Sequence, residues 1–190
     1  MIDYIEDYLQ EVEVISASLA VNQKNEIQKI TEILLETKTK GGRVFVLGVG
    51  GSAANASHLV NDLRKICGIE AYAPTDNVAE LTAWTNDKGW WSPFYEWLKT
   101  SNCGEKDVLF ILSVGGGSEE TSLNLVRAMQ LSVLKKTKIL GIVSRDGGIT
   151  KQLADACILI PVVNDSRITP HAEEFQGIVW HLIVNHPSLQ

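Results

Sequence analysis

His58 and Asp62 stand four residues apart, and Asn55 lies three residues before the histidine. Helical spacing projects His58 and Asp62 from one face about one turn apart and puts Asn55 on a neighbouring stripe. The apolar residues of the stretch, Ala56, Leu59, Val60 and Leu63, largely avoid them. A histidine and a carboxylate so related can bind one metal, serve as an acid/base pair or form a surface ion pair, and the spacing alone keeps all three open. A second group of the same chemistry lies near the other end. Thr169-Pro170 gives a helix start, followed by His171, Glu173, Glu174, Gln176 and His181, while Phe175, Ile178, Val179, Leu182 and Ile183 form the apolar face. His181 can be a ligand, a proton carrier or a structurally satisfied core histidine.

Two glycine loops carry a different chemistry. Arg43 to Leu47 is a short apolar run suited to a strand buried on both faces. Gly48, Gly50 and Gly51 let the chain turn sharply, and Ser52 is expected at the N-cap of the helix that follows. Free N–H groups and the positive end of the helix dipole then face the loop, and the Ser52 hydroxyl adds one more donor for an anion. The device recurs: the strand Asp107 to Ser113 runs into Val114-Gly115-Gly116-Gly117-Ser118 and a helix expected to carry Glu119 and Glu120 in its first turn. Two such loops on parallel strands open at the same C-terminal sheet edge, where doubly wound folds bind ligands. Their recurrence favours a phosphate-like anion over two unrelated tight turns.

The elements that must position these groups alternate. Besides the two strands already named, Ile69 to Ala73, Lys138 to Val143 and Ala156 to Pro161 read as strands, with Ser144 to Gly148 as a turn. Val78 to Thr85 and Trp90 to Leu98 read as short helices, the aromatics Trp90, Trp91, Phe94 and Trp97 belonging to the core. Thr85-Asn86-Asp87 between them reads as a polar turn, either facing a ligand or closed by an Asx-type hydrogen bond. Ahead of the sheet, Ile5, Tyr8, Leu9, Val12, Ile15 and Leu19, then Ile27, Ile30, Ile33 and Leu34, follow helical spacing, and Gly41-Gly42 ends the second helix. The expected fold is α/β, a three-layer α/β/α sandwich with a mainly parallel five-stranded sheet, preceded by an N-terminal helical pair. Residues 1–190 form one domain, with helices over 1–40 and the α/β core over 41–190.

Composition bounds the function. With 190 residues, 45% of them hydrophobic, the chain can build one full core. A net charge of -6 argues against a nucleic-acid surface. Cys67, Cys103 and Cys157 are an odd number without a C-x-x-C spacing, which suits reduced thiols in a cytoplasm. The start of the chain lacks a basic region followed by an apolar one, and no apolar run approaches membrane-spanning length.

The loop GVGGSAANASH at 48–58, the loop SVGGGS at 113–118 and the segment TPHAEEFQGIVWH at 169–181 resemble the SIS (sugar isomerase) domain, and within it the phosphoheptose isomerase group. The resemblance covers nearly the whole chain. It implies isomerisation of sedoheptulose 7-phosphate to D-glycero-D-manno-heptose 7-phosphate, or of a related sugar phosphate, through an enediol. It assigns phosphate binding to Ser52, Ser113 and Ser118 within the glycine-rich stretches Gly50-Gly51 and Gly115-Gly116-Gly117, and a substrate-side pair to Asn86-Asp87. Asp62 and His181 become the catalytic pair, and His58, Asp62, Glu173 and His181 the ligands of a zinc ion. It further implies a homotetramer with sites between subunits. Three departures stand out: Asp62 replaces a glutamate, shortening the arm by about 1.5 Å; Gly115 replaces a serine; and Glu173 replaces a glutamine, adding a charge that favours a cation. Together they fit a subgroup with a different substrate. Glu173 and His181 are eight residues apart, about 12 Å of helical rise, so joint ligation needs a frayed helix start or a neighbouring chain. The same fold also serves as a protein-binding adaptor, including one for a bacterial replication initiator, and as a sugar-phosphate sensor fused to a DNA-binding domain. An adaptor needs none of His58, Asp62 and His181, and these 190 residues show no DNA-binding domain, so the enzyme is preferred.

Overall fold

The computed structural model describes residues 2–190. Helices α1 (Ile2–Asn22) and α2 (Lys24–Thr39) precede β1 (Val44–Leu47), α3 (Gly51–Lys65) and β2 (Ala71–Tyr72). Helices α4 (Val78–Lys88) and α5 (Pro93–Thr100) lead to β3 (Val108–Leu112), α6 (Leu123–Lys135), β4 (Lys138–Val143), α7 (Gly148–Leu153), β5 (Ala156–Leu159) and α8 (Ile168–Val184). The strands form one sheet in the order β2-β1-β3-β4-β5, and every pairing is parallel. The chain reverses direction across the sheet between β1 and β3, which opens a crevice beyond their carboxyl ends.

Strand alternation divides the core into two layers. Val44 and Val46 of β1, with Val108 and Phe110 of β3, face one side and pack against α2, α3 and α8 through Leu34, Leu59 and Phe175. Phe45, Leu47, Leu109 and Ile111 face the other and pack against Phe94 of α5 and Met129 of α6. Both faces are covered, so β1 and β3 read as unbroken apolar runs. The edge strand β5 is closed by α2: Glu26 Oε2 accepts the Cys157 N–H at 2.9 Å and Gln23 Oε1 accepts the Leu159 N–H at 3.1 Å. These contacts satisfy edge donors that would otherwise recruit another strand.

Several local expectations shift. The second strand keeps two residues of the expected five, because Gly68 (φ +64°) and Ile69 are drawn into the C-terminal turn of α3 and Pro74 stops the ladder. Helix α4 runs on through Thr85, Asn86 and Asp87 to Lys88 before Gly89, so no loop forms there. Trp90 and Trp91 precede α5 and stay partly exposed, whereas Phe94 is buried. Ser52 is the second residue of α3 rather than its cap, a position taken by Gly50 at φ +64°. Glu119 and Glu120 fall in a tight bend closed by hydrogen bonds between Ser118 and Thr121, since α6 starts only at Leu123. Cys67, Cys103 and Cys157 are unpaired thiols, and burial pushes that of Cys157 up to about 11. No helix among the described residues is long and apolar enough to cross a membrane.

Candidate active site

Helices α3 and α8 lie side by side and bring the two reactive stretches together. Asp62 is buried at 6% exposure on α3, and its Oδ2 lies 3.5 Å from His58 Nε2 and 3.3 Å from His181 Nε2. Trp180 Nε1 donates to the same oxygen at 3.3 Å, and Asn61 Nδ2 donates to Oδ1 at 3.0 Å. The two imidazoles are about half exposed and pack edge to face, with ring centres 5.1 Å apart. They line a cavity of about 410 Å³ with Asn55, Glu173 and Trp180, while Asp62 sits behind them.

The tautomer of His181 decides what the cluster can do. Its Nδ1 lies 2.9 Å from the Gly177 carbonyl, which can only accept, so the proton is on Nδ1. A neutral ring then turns the bare lone pair of Nε2 toward the Asp62 carboxylate. Two acceptors facing each other at 3.3 Å need a cation or a proton between them. The ligand atoms of His58, Asp62 and His181 lie within 4.8 Å of one another, the only such group of three or more among the described residues. Ligands about 2.0–2.1 Å from a tetrahedral metal are about 3.4 Å apart, so the Asp62 distances fit one ion. Donation of the second ring nitrogen to a backbone carbonyl is also how metal-bound histidines are oriented.

Glu173 stays outside this set. It lies in the continuous part of α8, and its carboxylate fills the space that a Cβ at Gly51 would occupy, over the first turn of α3. Asn86 and Asp87 are exposed on the last turn of α4, bonded to each other at 2.9 Å, and line neither cavity of the site.

A second cavity of about 480 Å³ opens at the crevice between β1 and β3. Ser52, Ser113, Gly115, Gly117 and Ser118 line it, as the two loops require; Gly116 forms the wall behind, and Gly50 turns the chain into α3. Each of the three hydroxyls already accepts a hydrogen bond. Ser52 Oγ takes one from Gln176 Nε2 at 3.1 Å, Ser113 Oγ from the Gly116 N–H at 3.1 Å, and Ser118 Oγ from the Thr121 N–H at 3.0 Å. Their own O–H groups are thereby left to donate, which suits an anion. Gln176, fully buried on α8, also accepts from Asn55 Nδ2 at 2.9 Å and so joins the serine cavity to the histidine cavity.

Trp180 and Arg145 carry no reading in the sequence. Trp180 is one residue from His181, about 100° round the helix, on the buried face of α8 that packs against α3 and carries its indole to Asp62. Arg145 had a usable signal: the turn after the fourth strand ends at the same sheet edge as the two glycine loops.

The SIS domain profile matches residues 7–144. Phosphoheptose isomerase 1 of Campylobacter jejuni is 31% identical over 189 residues, covering 96% of this chain and 96% of that protein. The lincomycin biosynthesis protein LmbN of Streptomyces lincolnensis is 31% identical over 164 residues, of which this chain spans 58% of the length. Among solved structures, a phosphoheptose isomerase from Francisella tularensis superposes with a TM-score of 0.87 at 21% identity, covering 97% and 96% of the two chains, which establishes the shared fold. Profile, relatives and fold agree: the chain belongs to the SIS domain family and, within it, to the phosphoheptose isomerase group.

Proposed function

We propose that the protein is an aldose–ketose isomerase acting on sedoheptulose 7-phosphate or a closely related sugar phosphate. The observation that carries this reading is the pairing of two cavities, one lined by three proton-offering serines and the other by a His–Asp–His cluster, linked through Gln176. Ser52 and His58 are six residues apart on one helix, about 9 Å of rise, a span that an extended seven-carbon sugar covers from phosphate to carbonyl.

The serines and glycine amides hold the phosphate, and this fixes the carbonyl end against the histidines. Isomerisation moves a proton from one carbon to its neighbour, so one group must take it from carbon while another delivers one to the carbonyl oxygen. His181 and Asp62 carry these protons. Gly177 holds Nδ1 of His181 and Asp62 faces Nε2, so proton transfer by this pair requires Nε2 to turn from Asp62 to the substrate. Zinc held by His58, Asp62 and His181 would instead polarise the carbonyl as a Lewis acid and leave a position open for substrate, an alternative to proton transfer by His181 and Asp62, whose ligand atoms it would occupy. Glu173, at the mouth of the same cavity, would reach that ion only by moving its carboxylate away from Gly51 or from a neighbouring subunit. The half-exposed histidines and the exposed Ile178 and Leu182 beside them support a homotetramer whose subunits complete the site. Three unpaired thiols support a reducing, cytoplasmic setting.

A panel of ketose and aldose phosphates followed by NMR, with and without zinc, tests the reading. Interconversion of a seven-carbon pair is expected, and a protein inert toward every member of the panel would contradict it.

A further inference from the structure

The serine cavity has one lining residue that the two glycine loops do not supply. Arg145 is the one charged residue among those lining it. It sits in the β4–α7 turn at φ +55°, a left-handed conformation that is strained for a residue with a side chain and is kept where the surroundings over-determine it. Here the turn is braced on the second glycine loop. Ser144 N–H donates to the Val114 carbonyl at 2.9 Å, Ile149 N–H to Gly117 at 3.0 Å and Thr150 N–H to Gly116 at 3.0 Å. The neighbouring Asp146 is turned away, its carboxylate accepting the Gly148 N–H at 3.1 Å. Arg43 and Arg167 are committed to Asp107 and Glu11, whereas no ion pair among the described residues involves Arg145. Opposite Arg145 stands Gly115: a Cβ there would lie 3.9 Å from the arginine Cδ, so no side chain separates the arginine stem from the cavity.

We propose that Arg145 is the cation of the phosphate subsite and makes the cavity select a phosphate monoester over a neutral sugar. Three hydroxyls and backbone amides offer only neutral donors to a group that carries close to two negative charges. A guanidinium adds the compensating charge and a planar fork that meets two phosphate oxygens at once. The inference deepens the sugar-phosphate reading and rests on it for the identity of the substrate.

Arg145→Asn removes the charge while keeping a residue type that tolerates the left-handed backbone; Arg145→Lys keeps the charge and loses the fork. Titration calorimetry with inorganic phosphate reads the subsite without any need for turnover. Arg145→Asn is expected to weaken phosphate binding roughly ten- to a hundredfold, with Arg145→Lys in between. The KM for sedoheptulose 7-phosphate should rise by a similar factor with a smaller change in kcat, the pattern of a contact made equally in ground and transition states. Wild-type phosphate affinity in Arg145→Asn would overturn the proposal, whether or not the protein isomerises the sugar. Loss of phosphate affinity in a protein that isomerises no heptose phosphate would uphold Arg145 and overturn the substrate reading alone.

Discussion

Asp62 Oδ2 lies within 3.5 Å of two imidazole nitrogens and one indole nitrogen, yet His181 donates Nδ1–H to the Gly177 carbonyl, so a neutral ring turns a bare lone pair toward that oxygen. A shared cation, or a second proton on His181, would resolve that conflict. His58→Ala and Asp62→Asn should each lower zinc affinity by on the order of a hundredfold or more, since loss of an outer-sphere partner alone costs about ten- to a hundredfold. Elemental analysis after zinc loading and desalting reads this, and a chelator should reproduce the loss of activity reversibly. Zinc-free protein with full, chelator-resistant turnover would instead assign the site to a protonated His181. The i, i+4 spacing made His58 and Asp62 legible as a pair, and the family resemblance supplied His181. Trp180 was not legible, because its role depends on which helix its buried face packs against. The turn expected at Thr85-Asn86-Asp87 was misjudged because nothing there stops a helix; the stop comes two residues later, at Gly89.

Helix α1 reaches the site through one side chain. Glu11 accepts from Asn164 at 2.7 Å, from His171 at 2.7 Å and from Arg167 at 3.0 Å, and so ties α1 to the start of α8, two residues before Glu173. Hydrogen bonds from Asn164 and His171 hold its carboxyl down at about 2, with burial opposing them and Arg167 adding a smaller pull in the same direction as theirs. The folded value lies below the unfolded one, so this contribution is fully present above about pH 4.5 and is lost as pH falls toward 2. Glu11→Gln should therefore flatten the pH dependence of stability in that window, read by urea denaturation at a series of pH values; an unchanged slope would show that the cluster is not coupled to folding. None of this was visible in the amphipathic pattern of α1, where Glu11 is one acidic residue among several. The apolar runs of β1 and β3 were plain because burial on both faces leaves no room for polar residues. β2 was overread because Gly68 and Pro74 bracket it more tightly than its composition implies.

At the scale of the whole molecule, the parallel order β2-β1-β3-β4-β5 opens the serine cavity at the reversal between β1 and β3, and α3 carries the chain from that cavity to the histidines. The alternation of strands and helices foretold the layers, while the position of the reversal depended on strand order, which alternation alone does not determine. Apolar side chains stay exposed on two helices. Ile178 and Leu182 of α8 are 50% and 51% exposed, and Ile5 and Leu9 of α1 are 54% and 58% exposed. Light scattering at micromolar concentration should find a tetramer; a monomer would remove the shared site. The central claim, proton transfer between adjacent sugar carbons at the His–Asp–His cluster, is tested most directly by NMR of sedoheptulose 7-phosphate incubated with the zinc-loaded protein in deuterium oxide. An aldoheptose 7-phosphate carrying solvent deuterium at C2 is expected, and no such product with His181→Ala. An unchanged ketose, or conversion that survives the loss of His181, would contradict it.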